Sequence, residues 1–246
     1  MTRLPEIHPQ AIVETEHTLI GEGSIVDAYA VLRKGVVLGR NVVVHPHVVI
    51  EAGVQIGDGV EIFPGAYIGK LPKGAGALAR TPEIKGATYI GANSSVGPHA
   101  VIYQDVQIGE NCLIGDAASI REACRIGKAV VVGRHVTLNY AVVLHDRVKI
   151  MDHSWLGGNQ TIGENAFISG LVGMTNDNAM GREGYDESQI QGPSVGANVR
   201  IGAGAQILPN IKIGDGAVVA AGAVVTHDVD IAQTVVGVPA KPRRSL

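Results

Sequence analysis

The stretch Ile126-Gly127-Lys128-Ala129-Val130-Val131-Val132-Gly133-Arg134-His135-Val136-Thr137-Leu138-Asn139-Tyr140-Ala141-Val142-Val143-Leu144 decides how this chain folds. An aliphatic residue recurs at every sixth position, at Ile126, Val132, Leu138 and Leu144. Two places before each anchor stands a small or β-branched residue, Cys124, Val130, Val136 and Val142. A period of six matches neither the 3.6 of a helix nor the plain alternation of a flat strand. It suits a unit of one short strand and one tight turn, with the anchor pointing into a narrow shaft and glycine assigned to the turn. Outward from this stretch the pattern runs back without a break to Ile90 and on to Met174. An earlier run holds Ile20 to Ile68 and a later one Val195 to Ile231. Two segments interrupt it, 70–86 and 175–192, both rich in glycine and polar residues. The expectation is an all-β fold, a parallel β-helix forming a single domain over 1–246 with two inserted loops.

Composition agrees. Glycine is abundant, at 33 residues, and aromatics make up only 4%, which suits a thin shaft that turns often. A net charge of −3 gives no electrostatic case for nucleic acid or an anionic membrane. No stretch reaches the roughly 18 apolar residues of a membrane span, and Met1 to Gln10 hold no apolar run of a signal sequence. A cytoplasmic location is expected. Cys112 and Cys124 lack metal-site spacing and read as small buried side chains. No metal site is expected.

The repeat resembles the hexapeptide-repeat family, which implies a left-handed helix with three hexads per coil. Thirty-one anchors then make about ten coils, and residues eighteen apart stack. In the middle run, the column just after the anchors reads Gly91, Gly109, Gly127, His145, Gly163 along one corner. His145 is a lone imidazole among glycines, beside Asp146, and imidazole titrates where a general base must. The next corner reads Tyr103, Arg121, Asn139, Gly157, Thr175, either a polar ladder in water or a set of substrate contacts. His45, His99, His135 and His153 read more simply as surface histidines. In the first loop, Lys70, Lys73, Arg80 and Lys85 are candidate phosphate contacts or ordinary solvated charges.

The segment Val143-Leu144-His145-Asp146 is similar to the His-Asp motif of UDP-N-acetylglucosamine acyltransferases and of bacterial sugar-nucleotide N-acetyltransferases. Thr175-Asn176-Asp177-Asn178 resembles a Thr-Asn segment of nucleotide-linked 3-amino-sugar N-acetyltransferases. Val235-Val236-Gly237-Val238-Pro239-Ala240-Lys241 resembles the ending of many acetyl-CoA-dependent members. The resemblance implies a homotrimer moving acetyl from acetyl-CoA to the amine of a nucleotide-linked amino sugar. His145 would be the base and Asp146 its orienting acid. Asn139, Arg121, Asn176 and Asp177 would contact substrate, and Gly163, Lys241, Arg243 and Arg244 the donor. Transfer to a hydroxyl, an acyl-carrier-protein donor, a zinc carbonic anhydrase and a purely structural β-helix are the other classes this fold admits. The chain lacks the three stacked histidines that such a zinc site needs and the long threonine ladder of an ice-binding face.

Overall fold

The computed structural model describes residues 3–74, 80–182 and 186–243. Three sheets wrap one shaft, with thirteen strands on face 1, eleven on face 2 and ten on face 3. Each coil lays one short strand on each face in turn. Arg125–Ile126 lies on face 3, Val131–Val132 on face 1 and Thr137–Leu138 on face 2, before Val143–Leu144 returns to face 3. Leu144 therefore pairs in parallel with Ile126, and Leu138 with Ile120, as the six-residue period requires. Anchors and the residues two before them form one continuous core from Val26 to Val235. Among the described residues no helix is long and apolar enough to cross a membrane.

The crowded position before each anchor has its own chemistry. Ser24, Ser94 and Ser154 donate their hydroxyls to the carbonyls of Gly39, Gly109 and Ser169 at 2.9, 3.2 and 2.8 Å. Cys112 and Cys124 stand in the same place, their thiols directed at Gly127 O and Asn139 O at 3.1 and 3.0 Å. Both cysteines are free and buried. Gln160, the bulky exception, fits because Gly192 lies over it, where a Cβ would come within 2.0 Å of Gln160 Cγ.

The structure amends the sequence reading at three points. The solenoid has about twelve turns where about ten were expected, and two of its strands precede Ile20 out of phase. Val13 stands seven residues before Ile20, yet pairs with Leu32, and Ile7 pairs with Val26. At the other end Ile231, expected as an anchor, is 74% exposed. A shortened turn shifts the pattern by two, so that Val229 and Val235 are buried in its stead, bridging Ile213 and pairing with Val219. The chain then reverses, and Lys241–Pro242 pairs antiparallel with Val235 and Val236.

The third point concerns glycine. The left-handed turn falls three residues after the anchor, and residues other than glycine often hold it, including Ala141 (φ 54°) and Arg147 (φ 59°). The glycine directly after the anchor serves close stacking. A Cβ on Gly127 would stand 2.7 Å from Asp146 N and 2.8 Å from His145 C in the next coil.

Candidate functional site

Both inserted loops leave the solenoid at one corner. The first departs from Tyr67–Lys70 on face 2 and re-enters at Tyr89–Ile90 on face 3. The second departs from Gly173–Met174 on face 2 and re-enters at Ser194–Val195 on face 3. Between them the corner is built of four stacked turns whose left-handed residues are Asp105, Ala123, Ala141 and Asn159. Arg80, Thr81, Glu83 and Lys85 of the first loop fold down over this column and enclose a cleft of about 380 Å³. At its far end Asn159 Nδ2 donates to Ile190 O at 2.8 Å, tying the return of the second loop to the same turns.

Two buried carboxylates organise the cleft. Glu122, 1% exposed, is paired with the guanidinium of Arg80 and bonded by Arg121 through Nε and Nη2, both at 3.1 Å. Asp105, 2% exposed, accepts from Arg125 Nη2 at 2.7 Å and from the backbone N–H of Lys85 at 3.1 Å. Arg80 lies over the ring of Tyr140, 3.6 Å from its centroid. Lys70 donates to the Tyr103 hydroxyl at 3.0 Å. Buried acids are tolerated only when paired and hydrogen-bonded, and here their pairing clamps a long loop against the coils at two places, Glu122 on Arg80 and Asp105 on the Lys85 N–H.

His145 occupies a different corner, between faces 3 and 1. It is exposed, and among the described residues its imidazole makes no hydrogen bond. Asp146 turns away from it to accept the backbone N–H of Lys128 at 2.8 Å. That contact recurs down the solenoid, with Asp58 on Arg40, Asp152 on Arg134 and Asp215 on Ala197. Asp146 thus belongs to a set of aspartates that each tie one coil to the one before. Gly163, below His145, closes against the backbone of Gly196 and Ala197.

The remaining expected residues lie elsewhere. Arg121 and Asn139 sit at the corner between faces 2 and 3, with Asn176 and Asp177 where the second loop leaves it. Asp177 orders its own loop, accepting from the N–H groups of Ala179 and Gly181 at 2.7 and 3.0 Å. Lys241 and Arg243 are exposed beside the C-terminal reversal, and Arg244 lies outside the described residues. Within one chain, then, the imidazole and the polar corner do not meet. His135 and His153 stack at 5.0 Å on the third corner, and His45 pairs there with Glu61 at 2.8 Å. Among the described residues no group of three or more His, Cys, Asp or Glu side chains is placed to hold a metal ion.

Glu122, Asp105, Arg125 and Tyr140 were not anticipated. The signal that could have found their corner was present. Ile68 and Met174, the anchors before the two breaks, are the ninth and twenty-fourth, so at three per coil they share a face.

The family model for bacterial transferase hexapeptide (six repeats) matches residues 17–52, 37–70, 87–121 and 192–227, together just over half of the chain. A serine acetyltransferase of Buchnera aphidicola subsp. Acyrthosiphon pisum is 44% identical over 80 residues, 32% of this chain and 29% of that protein. A 2,3,4,5-tetrahydropyridine-2,6-dicarboxylate N-acetyltransferase of Staphylococcus aureus is 54% identical over 44 residues, 18% of each. The matched stretches span less than a third of these relatives' length. Among solved structures, a UDP-N-acetylglucosamine acyltransferase from Campylobacter jejuni aligns over 97% of this chain and 74% of its own, at 20% identity and a TM-score of 0.48.

Proposed function

Since the chain belongs to the bacterial transferase hexapeptide family, we propose that it moves an acetyl group from acetyl-CoA to the amine of a nucleotide-linked amino sugar, with His145 as general base. The observation that carries this reading is the state of His145, an exposed imidazole with no hydrogen bond among the described residues. Several histidines elsewhere in the chain are stacked or paired, as His45, His135 and His153 are, and His145 is the one that interrupts a column of glycines. In the reaction His145 takes the proton as the amine attacks the thioester carbonyl. Backbone N–H groups at the turns stabilise the oxyanion. The thiolate then leaves and regains a proton.

The geometry favours a site shared between copies. His145 stands on a convex corner that encloses nothing, while Arg121, Asn139, Asn176 and Asp177 gather at another. A homotrimer would set the imidazole of one copy against the polar corner of the next and so enclose a ligand. Gly163, Lys241 and Arg243 remain the candidates for donor contacts. Asp146 acts in this reading through the coil-to-coil tie to Lys128, which holds the His145 turn in place.

Transfer to a hydroxyl is the second reading. The serine acetyltransferase match favours it, and the same base serves it. The test is thiol release from acetyl-CoA with a panel of amino-sugar nucleotides and serine as acceptors. His145→Ala should keep the fold and lose about 10²–10⁴ in turnover, the usual share of a general base. Near-parental turnover across the pH range would remove His145 from the role.

A further inference from the structure

The cleft beneath the first loop has an architecture that clamping a loop does not require. Its acids, Glu122 and Asp105, are at most 2% exposed, whereas the guanidinium side chains of Arg80, Arg121 and Arg125 are 10%, 22% and 44% exposed. The carboxylates thus lie behind and the guanidiniums in front. Arg80 and Arg125 line the cleft in front of the two buried acids, and Arg121 braces Glu122 from outside that lining. At the rim Glu83 and Lys85 pair with each other at 3.0 Å and cancel. A ligand entering this space meets arginine N–H groups pre-oriented by the carboxylates behind them. Planar guanidiniums held in this way suit bidentate binding of oxyanions. A volume of about 380 Å³ exceeds what a lone carboxylate would fill.

We propose that the cleft is a phosphoryl-binding subsite, in which Arg125 and Arg80 hold a phosphate or diphosphate group. Tyr140 and the turns at Ala123 and Ala141 form its floor. The inference rests on the transferase reading only for the source of that group, which is either the donor coenzyme or a nucleotide-linked acceptor. The binding itself stands or falls independently of catalysis by His145.

The two residues of the Asp105–Arg125 pair make the test signed. Arg125→Gln removes a cation from the front. Asp105→Asn removes the anion behind it, keeps an acceptor for the Lys85 N–H, and keeps a residue type that tolerates the φ of 59° found there. Calorimetric titration at low salt should use pyrophosphate, uridine diphosphate, thymidine diphosphate and coenzyme A on the full chain, with thermal melts confirming that both variants are folded. We expect pyrophosphate and at least one of the larger ligands to bind competitively. Arg125→Gln should weaken them tenfold or more, and Asp105→Asn should leave them unchanged or tighter. Competition by coenzyme A alone assigns the group to the donor, and competition by a nucleoside diphosphate alone to the acceptor. Equal weakening by both variants would show that the pair only holds the loop, and would overturn the proposal. So would no change in either, or no binding of any probe to the parent. Thiol release by the parent, measured separately, reports on the transferase reading, so failure of one leaves the other standing.

Discussion

Replacing Gly163 by alanine separates the two reasons a glycine can stand in this solenoid. Gly163 has no left-handed φ. Its Cβ would instead come to 2.4 Å from Gly196 C, 2.5 Å from Ala197 N and 2.7 Å from Gly196 O, all main-chain atoms of the next coil. Carbon atoms in favourable contact are about 3.5–4.0 Å apart, so the two coils must part by about 1 Å at a corner where strands stack at about 4.8 Å. Overpacking costs about 1–3 kcal/mol, and the upper end applies because backbone, unlike a side-chain tip, cannot swing away. At about 2–4 °C per kcal/mol for a protein of this size, the melting midpoint should fall by about 6–12 °C. Gly204 is the control. Its φ is +70° and nothing lies within 4 Å of its Cβ position. Alanine there should cost about 1 kcal/mol for the left-handed backbone, partly offset by the smaller entropy of the unfolded chain. Ala117, Ala123 and Ala141 already hold that conformation. Circular dichroism melts at one protein concentration compare the two variants. A larger loss for Gly204→Ala than for Gly163→Ala would refute close stacking as the reason for glycine after the anchor.

Ile126→Asp should prevent folding, because an unpaired carboxylate in the shaft costs several kcal/mol; a soluble variant melting like the parent would displace Ile126 from the core. The Cys124 thiol is pushed up to about 12 by burial, so it should resist alkylation at pH 8 in the native protein and react only after unfolding, as mass spectrometry would read. The Asp152 carboxyl is held low by the Arg134 side chain and backbone, and that of Asp58 by the Arg40 backbone and side chain. Groups depressed in the folded state stabilise it fully above the ordinary carboxylate value near 3.9 and lose that contribution as pH falls through the lowered values. The melting midpoint should therefore hold from pH 7 to about 5 and drop below about 4, with a shallower acid slope in Asp152→Asn; an identical slope would count against the coil-to-coil tie.

Most of the fold was legible because one physical requirement, a buried aliphatic per strand, repeats at a fixed spacing. It became illegible where a turn gained or lost residues. One added residue before Ile20 hid Val13 and Ile7, and a shortened turn moved the burial from Ile231 to Val229 and Val235. Spacing records position but not φ, so the glycines after the anchors were assigned to turns that alanine and arginine also hold. The polar corner was visible in Arg121 and Asn139. Glu122 and Asp105 were not, since a charged residue in a turn normally faces water, and only the fold-back of the first loop buries them.

The reversed strand at Lys241–Pro242 bears on how such prisms behave at high concentration. A stack of parallel strands carries a row of free amide and carbonyl groups at its last rung, a template on which another molecule's first rung can seat, and repetition of that step makes a fibre. On face 1 the last rung runs backwards and contains Pro242, which has no N–H to offer. An incoming parallel strand finds the wrong polarity and a gap in the donors. On that face the hairpin thus hinders axial addition, and deleting 241–243 should turn a well-behaved solution into one whose light scattering climbs with time.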